Sequence, residues 1–395
     1  MNSQYNILVL NQISTLGLEL FPKESYKVAK EVSAPDAILV RSHDMHSMTI
    51  PESVRAIGRA GAGTNNIPVP AMTQRGVPVF NAPGANANAV KELVLAGMLL
   101  AARNIVPAIQ FVASQVAEKD DKKLAKIMED GKKDFAGIEL PNHTLGIIGL
   151  GKIGSLVADT AIKLGMNVLG YDPEITVDAA WSLPSQVKKA NSIAEVLRAS
   201  HFITVHVPLV EATRNLIGAK NLELVQKGTV LLNFSRDEIV DAKAVVAALD
   251  SGKLQYYVTD FPAVALAGHA KVIALPHLGA STGEAEDNSA VMVVQQVRDY
   301  LENGNVQNAV NFPNVVMSRE APYRIAIANA NVPNMVGQIS GALAAAKLNI
   351  HNMLNRSKGD LAYTLVDVDS PVSDALMDDL RKVSGVLAVR YLPGV

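Results

Sequence analysis

The stretch that most constrains this chain is Gly149-Leu150-Gly151-Lys152-Ile153-Gly154, because it joins an apolar run, Thr144 to Ile148, to a helical pattern, Ile153 to Leu164. Glycines alone mean only a tight turn. Between a strand and a helix they gain a mechanism: Gly149 permits the turn, Gly151 lets the backbone approach a pyrophosphate, and Gly154 lets the helix lie close on the sheet. The amides of Gly151, Lys152 and Ile153 then face the negative charge at the helix start. A second strand, Asn167 to Tyr171, ends in Tyr171-Asp172-Pro173, which puts an acid roughly 20 residues beyond the glycines. A carboxylate there accepts hydrogen bonds from both ribose hydroxyls of NAD and repels the extra phosphate of NADP. The segment predicts one βαβ unit that binds NAD.

Around that unit, short β-rich runs alternate with helical patterns, which argues for parallel α/β sheets. Asn6 to Leu10, Ala37 to Val40 and Val77 to Phe80 read as buried strands and Ala87 to Leu100 as a helix. Phe202 to Val205, Val230 to Asn233, Gln255 to Thr259 and Val272 to Ala274 extend the second sheet to about six strands, with a helix over Asp241 to Ser251. A long helical period from Glu284 through Leu301, closed by Asn303-Gly304-Asn305, crosses back to the first domain. Asn311 to Pro322, with its prolines, reads as a linker and hinge. Beyond it, Tyr323 to Ala328, Pro333 to Ala346, Ile350 to Asn355, Leu361 to Asp367, Ser373 to Val383 and Val386 to Tyr391 spell β-α-β-β-α-β. The expected fold class is therefore α/β, with two Rossmann-like doubly wound parallel-sheet domains and a C-terminal ferredoxin-like βαββαβ domain. The domains are expected at 1–102 with 280–318, 103–279, and 319–395.

Composition excludes several function classes. The 395 residues contain no cysteine, so a disulfide scaffold, a thiolate nucleophile and a cysteine zinc site are all ruled out. A formal charge of -2 gives no global field for nucleic acid or an anionic membrane, so an anion site has to be a local cluster. The mixed-charge stretch Lys119 to Lys133 reads as a solvated helix face. Met1 to Leu10 lacks the pattern of a signal peptide, and Leu93 to Ala102 is too short to span a membrane, so a cytoplasmic protein is expected.

Six further segments carry a resemblance: Val40-Arg41-Ser42, Gly58-Arg59-Ala60-Gly61-Ala62-Gly63-Thr64-Asn65-Asn66-Ile67, Asn81-Ala82-Pro83-Gly84-Ala85-Asn86, Leu232-Asn233-Phe234-Ser235-Arg236, Pro276-His277-Leu278-Gly279-Ala280-Ser281, and the glycine turn itself. With them the whole chain resembles the D-2-hydroxyacid dehydrogenases, in particular the D-3-phosphoglycerate dehydrogenases, and its last unit is similar to their ACT domains. The resemblance implies hydride transfer from C2 of a phosphorylated hydroxy acid to NAD, with His277 as base and Arg236 as carboxylate clamp. An imidazole suits the first task because its ordinary pKa lies near operating pH, and a guanidinium fork suits the second. It implies that Arg41, Ser42, Arg59, Asn81 and Asn86 hold the substrate phosphate and that the amides of Ala62 and Gly63 grip its carboxylate. His206, Val207, Pro208, Asn233, Ser235, Asp260, Gly279 and Ala280 are implied to line the cofactor, with no metal. For Gly61 and Gly63 a tight turn is the alternative, and for Arg236 a surface ion pair.

One position departs from the family. A glutamate that hydrogen-bonds the catalytic histidine normally follows the aspartate matching Asp260, but here the chain reads Asp260-Phe261-Pro262-Ala263-Val264-Ala265. Glu238 is the nearest substitute in sequence. In the ACT-like unit the resemblance implies that Asn329, Asn331 and Asn349 bind L-serine across a dimer interface, with turn-forming asparagine as the alternative. A homodimer or homotetramer is expected, without a nucleic-acid or membrane partner. An NAD- or amino-acid-sensing protein with a weak catalytic site is the competing class.

Overall fold

The computed structural model describes residues 4–394. Contacts divide the chain into two compact units, Met1–Asn86 with Gly283–Val395, and Ala87–Thr282. The division falls at Asn86 and Thr282 rather than near 102 and 279, so the helix Ala87–Ala102 belongs with the second unit.

In the first unit, β1 (Tyr5–Leu10), β2 (Tyr26–Ala29), β3 (Ala37–Val40), β4 (Ala56–Arg59) and β5 (Val79–Phe80) form a parallel sheet in the order β2-β1-β3-β4-β5. The central β3 is buried at every residue, as a continuous Ala-Ile-Leu-Val run in a two-sided parallel sheet should be. The helix Gly283–Asn303 covers one face through Ala290, Val293, Val294 and Val297. Gly17 allows the first helix to approach it, since a Cβ there would lie 2.6 Å from the Ala290 backbone.

The second unit holds seven parallel strands: β6 (Thr144–Ile148), β7 (Asn167–Tyr171), β8 (Lys188–Lys189), β9 (Phe202–Val205), β10 (Thr229–Asn233), β11 (Leu254–Thr259) and β12 (Val272–Ala274), in the order β12-β11-β10-β9-β6-β7-β8. The reversal beside β6 is the switch point at which open α/β sheets bind ligands. One apolar core lies on each face of this sheet, one of them including Val94, Met98 and Val157, the other Ile203, Leu231 and Leu249. The Lys119–Lys133 stretch forms the helix Asp121–Gly131, none of whose residues is buried. Among the described residues no single helix is long and apolar enough to cross a membrane; one bent pair, Ala87–Ala102 with Ile105–Ser114, passes on length and composition only.

The C-terminal residues form an antiparallel sheet of β13 (Tyr323–Ala330), β14 (Ile350–Lys358), β15 (Leu361–Val368) and β16 (Val386–Leu392) in the order β14-β15-β13-β16, with helices Met335–Ala345 and Asp374–Lys382 on one face. Its other face is not free. Ala326, Ala328, Tyr363, Leu365 and Leu392 share a core with Phe80, Val297 and Phe312 of the first sheet's unit. The buried Arg324 pairs with the buried Asp367 and donates to the carbonyls of Asn303, Met317 and Ser318. Arg390 lies 4.4 Å over the ring of Tyr300 and donates to the carbonyls of Tyr300 and Leu301. The expectation of a loose hinge at 311–322 is therefore corrected. Phe312, Val315, Met317 and Ala321 are buried there, Val315 pairs with Val306, and Asn311 accepts from the Val79 amide.

Candidate active site

The glycine turn follows β6 as expected, and its geometry fits a dinucleotide. Gly149 has φ +94, a conformation that a side chain strains, and its missing Cβ makes room for the His206 carbonyl. A Cβ at Gly154 would stand 2.0 Å from the Gly149 carbonyl oxygen, whereas one at Gly151 would meet no protein atom within 4 Å. Gly154 is thus the packing glycine, and Gly151 opens onto free space where a phosphate can approach. The helix Lys152–Lys163 begins at this point. After β7, Asp172 accepts from the amides of Leu150 (2.8 Å) and Glu174 (3.0 Å). Beside it lies a cavity of about 500 Å³ lined by Leu150, Asp172, Ile175, Leu183 and Asn191 among others.

The remaining nucleotide-unit residues fall on the same edge of the same sheet. His206 follows β9; its Nε2 pairs with Thr204 Oγ1 at 2.9 Å, its Nδ1 is buried without a partner, and burial pushes it down to about 4. Val207 and the exposed Pro208 continue this loop behind Gly149. After β10, Asn233 donates to the Arg236 carbonyl and accepts from the Ser235 amide, while Ser235 Oγ donates to the Val205 carbonyl. That network turns the chain sharply and leaves Arg236 exposed, with Nη1 on the Ser235 carbonyl. Asp260 follows β11 and is 1% exposed, and burial pushes its carboxyl up. His277 follows β12 and is exposed, with its ring against Phe261 at 4.8 Å between centroids. Gly279 is buried and Ala280 exposed in the same loop.

The proposed substrate residues lie in the first unit. Arg41 and Ser42 follow β3, and Arg59 ends β4 with Nε on the Arg41 carbonyl at 3.1 Å. Arg41 is itself ion-paired to Glu286 at 2.6 Å. Gly61 has φ +149, and a Cβ there would strike the Arg59 guanidinium. Asn81 donates to the carbonyl of Ala62 at 2.5 Å. Gly63 follows in the same turn, and Asn86 is half-buried where the first unit's N-terminal segment ends. Sequence reading missed Lys30, which shares a cavity of about 600 Å³ with Asn11, Gln12, Arg41 and Ser42. It follows β2, a strand of four residues with the exposed Lys27 inside it, so no apolar run announced it. Glu286 was missed because nothing in the sequence ties it to a residue 245 positions away.

One expectation is corrected: Glu238 is no substitute for the absent glutamate, since it is taken by Arg214. A cavity of about 160 Å³ in the C-terminal unit is lined by Asn329, Asn331, Asn334 and Asn355 among others. Asn329 is fully buried, with Oδ1 unpartnered and Nδ2 on the Ala330 carbonyl, and Asn331 donates to the Gly359 carbonyl.

Residues 95–279 match the family described as D-isomer specific 2-hydroxyacid dehydrogenase, NAD binding domain. A D-3-phosphoglycerate dehydrogenase of Haemophilus influenzae is 32% identical over 349 residues, covering 85% of this chain and 81% of that protein. The chain belongs to the D-2-hydroxyacid dehydrogenase family. The D-3-phosphoglycerate dehydrogenase of Methanocaldococcus jannaschii is 36% identical over 301 residues, 73% of this chain and 54% of that one. The chain spans little more than half of that relative's length. Among solved structures, the NAD+-bound 3-phosphoglycerate dehydrogenase of Entamoeba histolytica superposes with a TM-score of 0.59 at 25% identity, over 78% of this chain and 99% of that one. For this family member, residues 95–279 are thus the NAD-binding domain, and the glycine turn and Asp172 lie within it.

Proposed function

We propose that the chain oxidises D-3-phosphoglycerate to 3-phosphohydroxypyruvate with NAD, the step that opens L-serine synthesis. One observation carries this reading: the glycine turn, Asp172, His206, Arg236, Asp260 and His277 all follow strands of one parallel sheet and so share its carboxyl edge. NAD, when bound, supplies the acceptor for the C2 hydride. The residues do the rest. Asp172 accepts from the ribose hydroxyls, and the amides after Gly151 take the pyrophosphate. Lys152, Ile153, His206, Val207, Pro208, Asn233, Ser235, Asp260, Gly279 and Ala280 line the remainder of the cofactor's path. Arg236 holds the substrate carboxylate and polarises the C2 oxygen, while His277 takes the hydroxyl proton. Ala62 and Gly63 add amides for the carboxylate. Arg41, Arg59, Ser42, Asn81 and Asn86 hold the phosphate, and Lys30 adds a charge to the cavity that Arg41 and Ser42 line.

L-serine as effector belongs to the same reading, with Asn329, Asn331 and Asn349 in the ACT-like unit as its ligands across a dimer interface. The unpartnered Oδ1 of Asn329 supports this, because a buried acceptor calls for a donor such as an ammonium group. A homo-oligomer and a cytoplasmic location complete the proposal; the edge strand β14 and the exposed Ile109 and Val112 give the oligomer surfaces to cover. The competing reading is an NAD- or amino-acid-sensing protein, favoured by the missing glutamate.

The test is NADH formation from D-3-phosphoglycerate beside D-lactate and D-glycerate, with NAD and NADP. Turnover that prefers the phosphorylated acid and NAD, and that falls at least tenfold in kcat/KM in Arg59→Ala, supports the proposal; one charge-assisted contact is worth about that much. Equal rates on all three acids would reassign it to another 2-hydroxy acid.

A further inference from the structure

We propose that Glu286 is a specificity-determining residue: its carboxylate is a counter-ion that the tail of a substrate must displace from Arg41, so that only a doubly charged tail gains from that arginine. The inference rests on reading Arg41 as a ligand of the substrate phosphate. The first sheet, in the order β2-β1-β3-β4-β5, reverses beside β1, and Asn11, Lys30 and Arg41 directly follow β1, β2 and β3 there. Open α/β sheets take ligands at such a reversal. The cavity of about 600 Å³ that these residues line therefore lies where a ligand is expected, and Lys30 and Arg41 call for an anion.

Arg41 already has one. Its Nη2 donates to Glu286 Oε1 at 2.6 Å, which uses one of the five donors of a guanidinium. Glu286 lies in the first turn of the helix Gly283–Asn303, where the helix amides favour a negative charge, and the next residue, Asp287, accepts from Ser14 Oγ. The carboxylate is thereby kept beside Arg41 without depending on it. The strength of the pair decides what it can do. The two side chains are 36% and 42% exposed, and an ion pair in that setting contributes at most about fivefold to an equilibrium. That is too weak to lock the guanidinium, yet enough to cancel the gain from a rival of equal charge. A neutral tail offers Arg41 nothing in exchange. A singly charged tail replaces one carboxylate by another, whereas a phosphate dianion brings twice the charge and three acceptor oxygens. Were Glu286 instead the group that aims Arg41 at the substrate, its loss would weaken phosphate binding. The two roles predict opposite signs.

The test compares wild type with Glu286→Gln, which keeps the size of the side chain and removes its charge. In E286Q the KM for D-3-phosphoglycerate is expected to fall about threefold to fivefold, with kcat changed less than about twofold. A KM that rises assigns Glu286 to positioning Arg41 and overturns the inference, as does an unmoved KM. A readout without turnover separates this inference from the function itself: the rate at which phenylglyoxal modifies Arg41, followed by peptide mass spectrometry at about pH 8, where phosphate is largely a dianion. In wild type, inorganic phosphate is expected to protect Arg41 and acetate is not. In E286Q both are expected to protect it, with phosphate effective at concentrations about threefold to fivefold lower. Acetate that protects equally in both proteins, or phosphate that protects in neither, overturns the inference. If protection follows the expected pattern while wild type oxidises no phosphorylated acid, the counter-ion role stands and the dehydrogenase reading falls. If the two proteins are protected alike, the counter-ion role falls whatever acid is oxidised.

Discussion

At the residue scale, polar side chains on the carboxyl edge of the second sheet are held in place by backbone groups. Asn233 and Ser235 fix the turn before Arg236, and Asp260 fixes the loop after His277. His206 is a residue whose burial has a thermodynamic consequence. Part of the residue reaches solvent, but the ring nitrogens sit inside, and burial takes the imidazole from 6.5 down to about 4. The unfolded chain therefore binds this proton first as the pH falls. The neutral ring's contribution is complete above pH 6.5 and is lost as the pH drops toward 4, on the order of 3 kcal/mol over that window. His206→Asn is expected to flatten the loss of stability on acidification by about that amount, measured by urea unfolding at pH 7 and pH 4.5. Identical pH slopes in the two proteins would contradict a buried neutral His206. The strand-turn-helix pattern marked Asp172, whereas Arg236 and His277 came only from the resemblance of their segments to the family. The sequence concealed Lys30 and Glu286, whose partners are brought near only by the fold.

At the element scale, the glycine turn was legible because it combines a local conformation with a helix start, both of which leave marks in a short window. The strands flanking it, Thr144–Ile148 and Asn167–Tyr171, fall where the apolar runs placed them. The misses are short strands without a continuous apolar run: β2 carries the exposed Lys27, β4 is interrupted by Gly58, and β8 is two exposed lysines. Gly154→Ala tests the turn. The added methyl would meet the Gly149 carbonyl oxygen at 2.0 Å, so the helix Lys152–Lys163 has to shift away from the sheet. Overpacking of this kind costs about 1–3 kcal/mol. The variant is expected to melt lower and to lose most NAD binding, read by calorimetry and by Trp181 fluorescence, whereas Gly151→Ala, with open space around its Cβ, should keep its melting temperature and lose affinity alone.

At the scale of the whole molecule, the sequence showed that a βαββαβ unit ends the chain but not that its second sheet face is covered. Prolines at 313 and 322 read as a linker, yet Phe312 just before them and Val315 and Met317 between them are buried. Tertiary contacts of this kind have no local signature. The C-terminal sheet is fastened to the rest of its unit by Arg324, which the buried Asp367 of the neighbouring strand holds and which donates to the carbonyls of Asn303, Met317 and Ser318, and by the donation of Tyr363 to the Gly304 carbonyl. Arg324→Met leaves Asp367 charged and unpaired, and is expected to cost about 3–5 kcal/mol in urea unfolding. The double variant R324M/D367L is expected to recover a large part of that loss. A loss below about 1 kcal/mol in the single variant would mean that the sheet is not held there.

The central claim, that this family member moves a hydride from C2 of a hydroxy acid to NAD with His277 as the base, is tested most directly by isotope transfer. The protein is incubated with NAD and C2-deuterated D-3-phosphoglycerate, and the reduced nicotinamide is examined by mass spectrometry. The account predicts deuterium in the NADH, with the rate falling about 10² to 10⁴-fold in His277→Gln while Trp181 still reports NAD binding. NAD binding without any deuterium transfer, from this acid or from other 2-hydroxy acids, would contradict it and leave the sensing reading in its place.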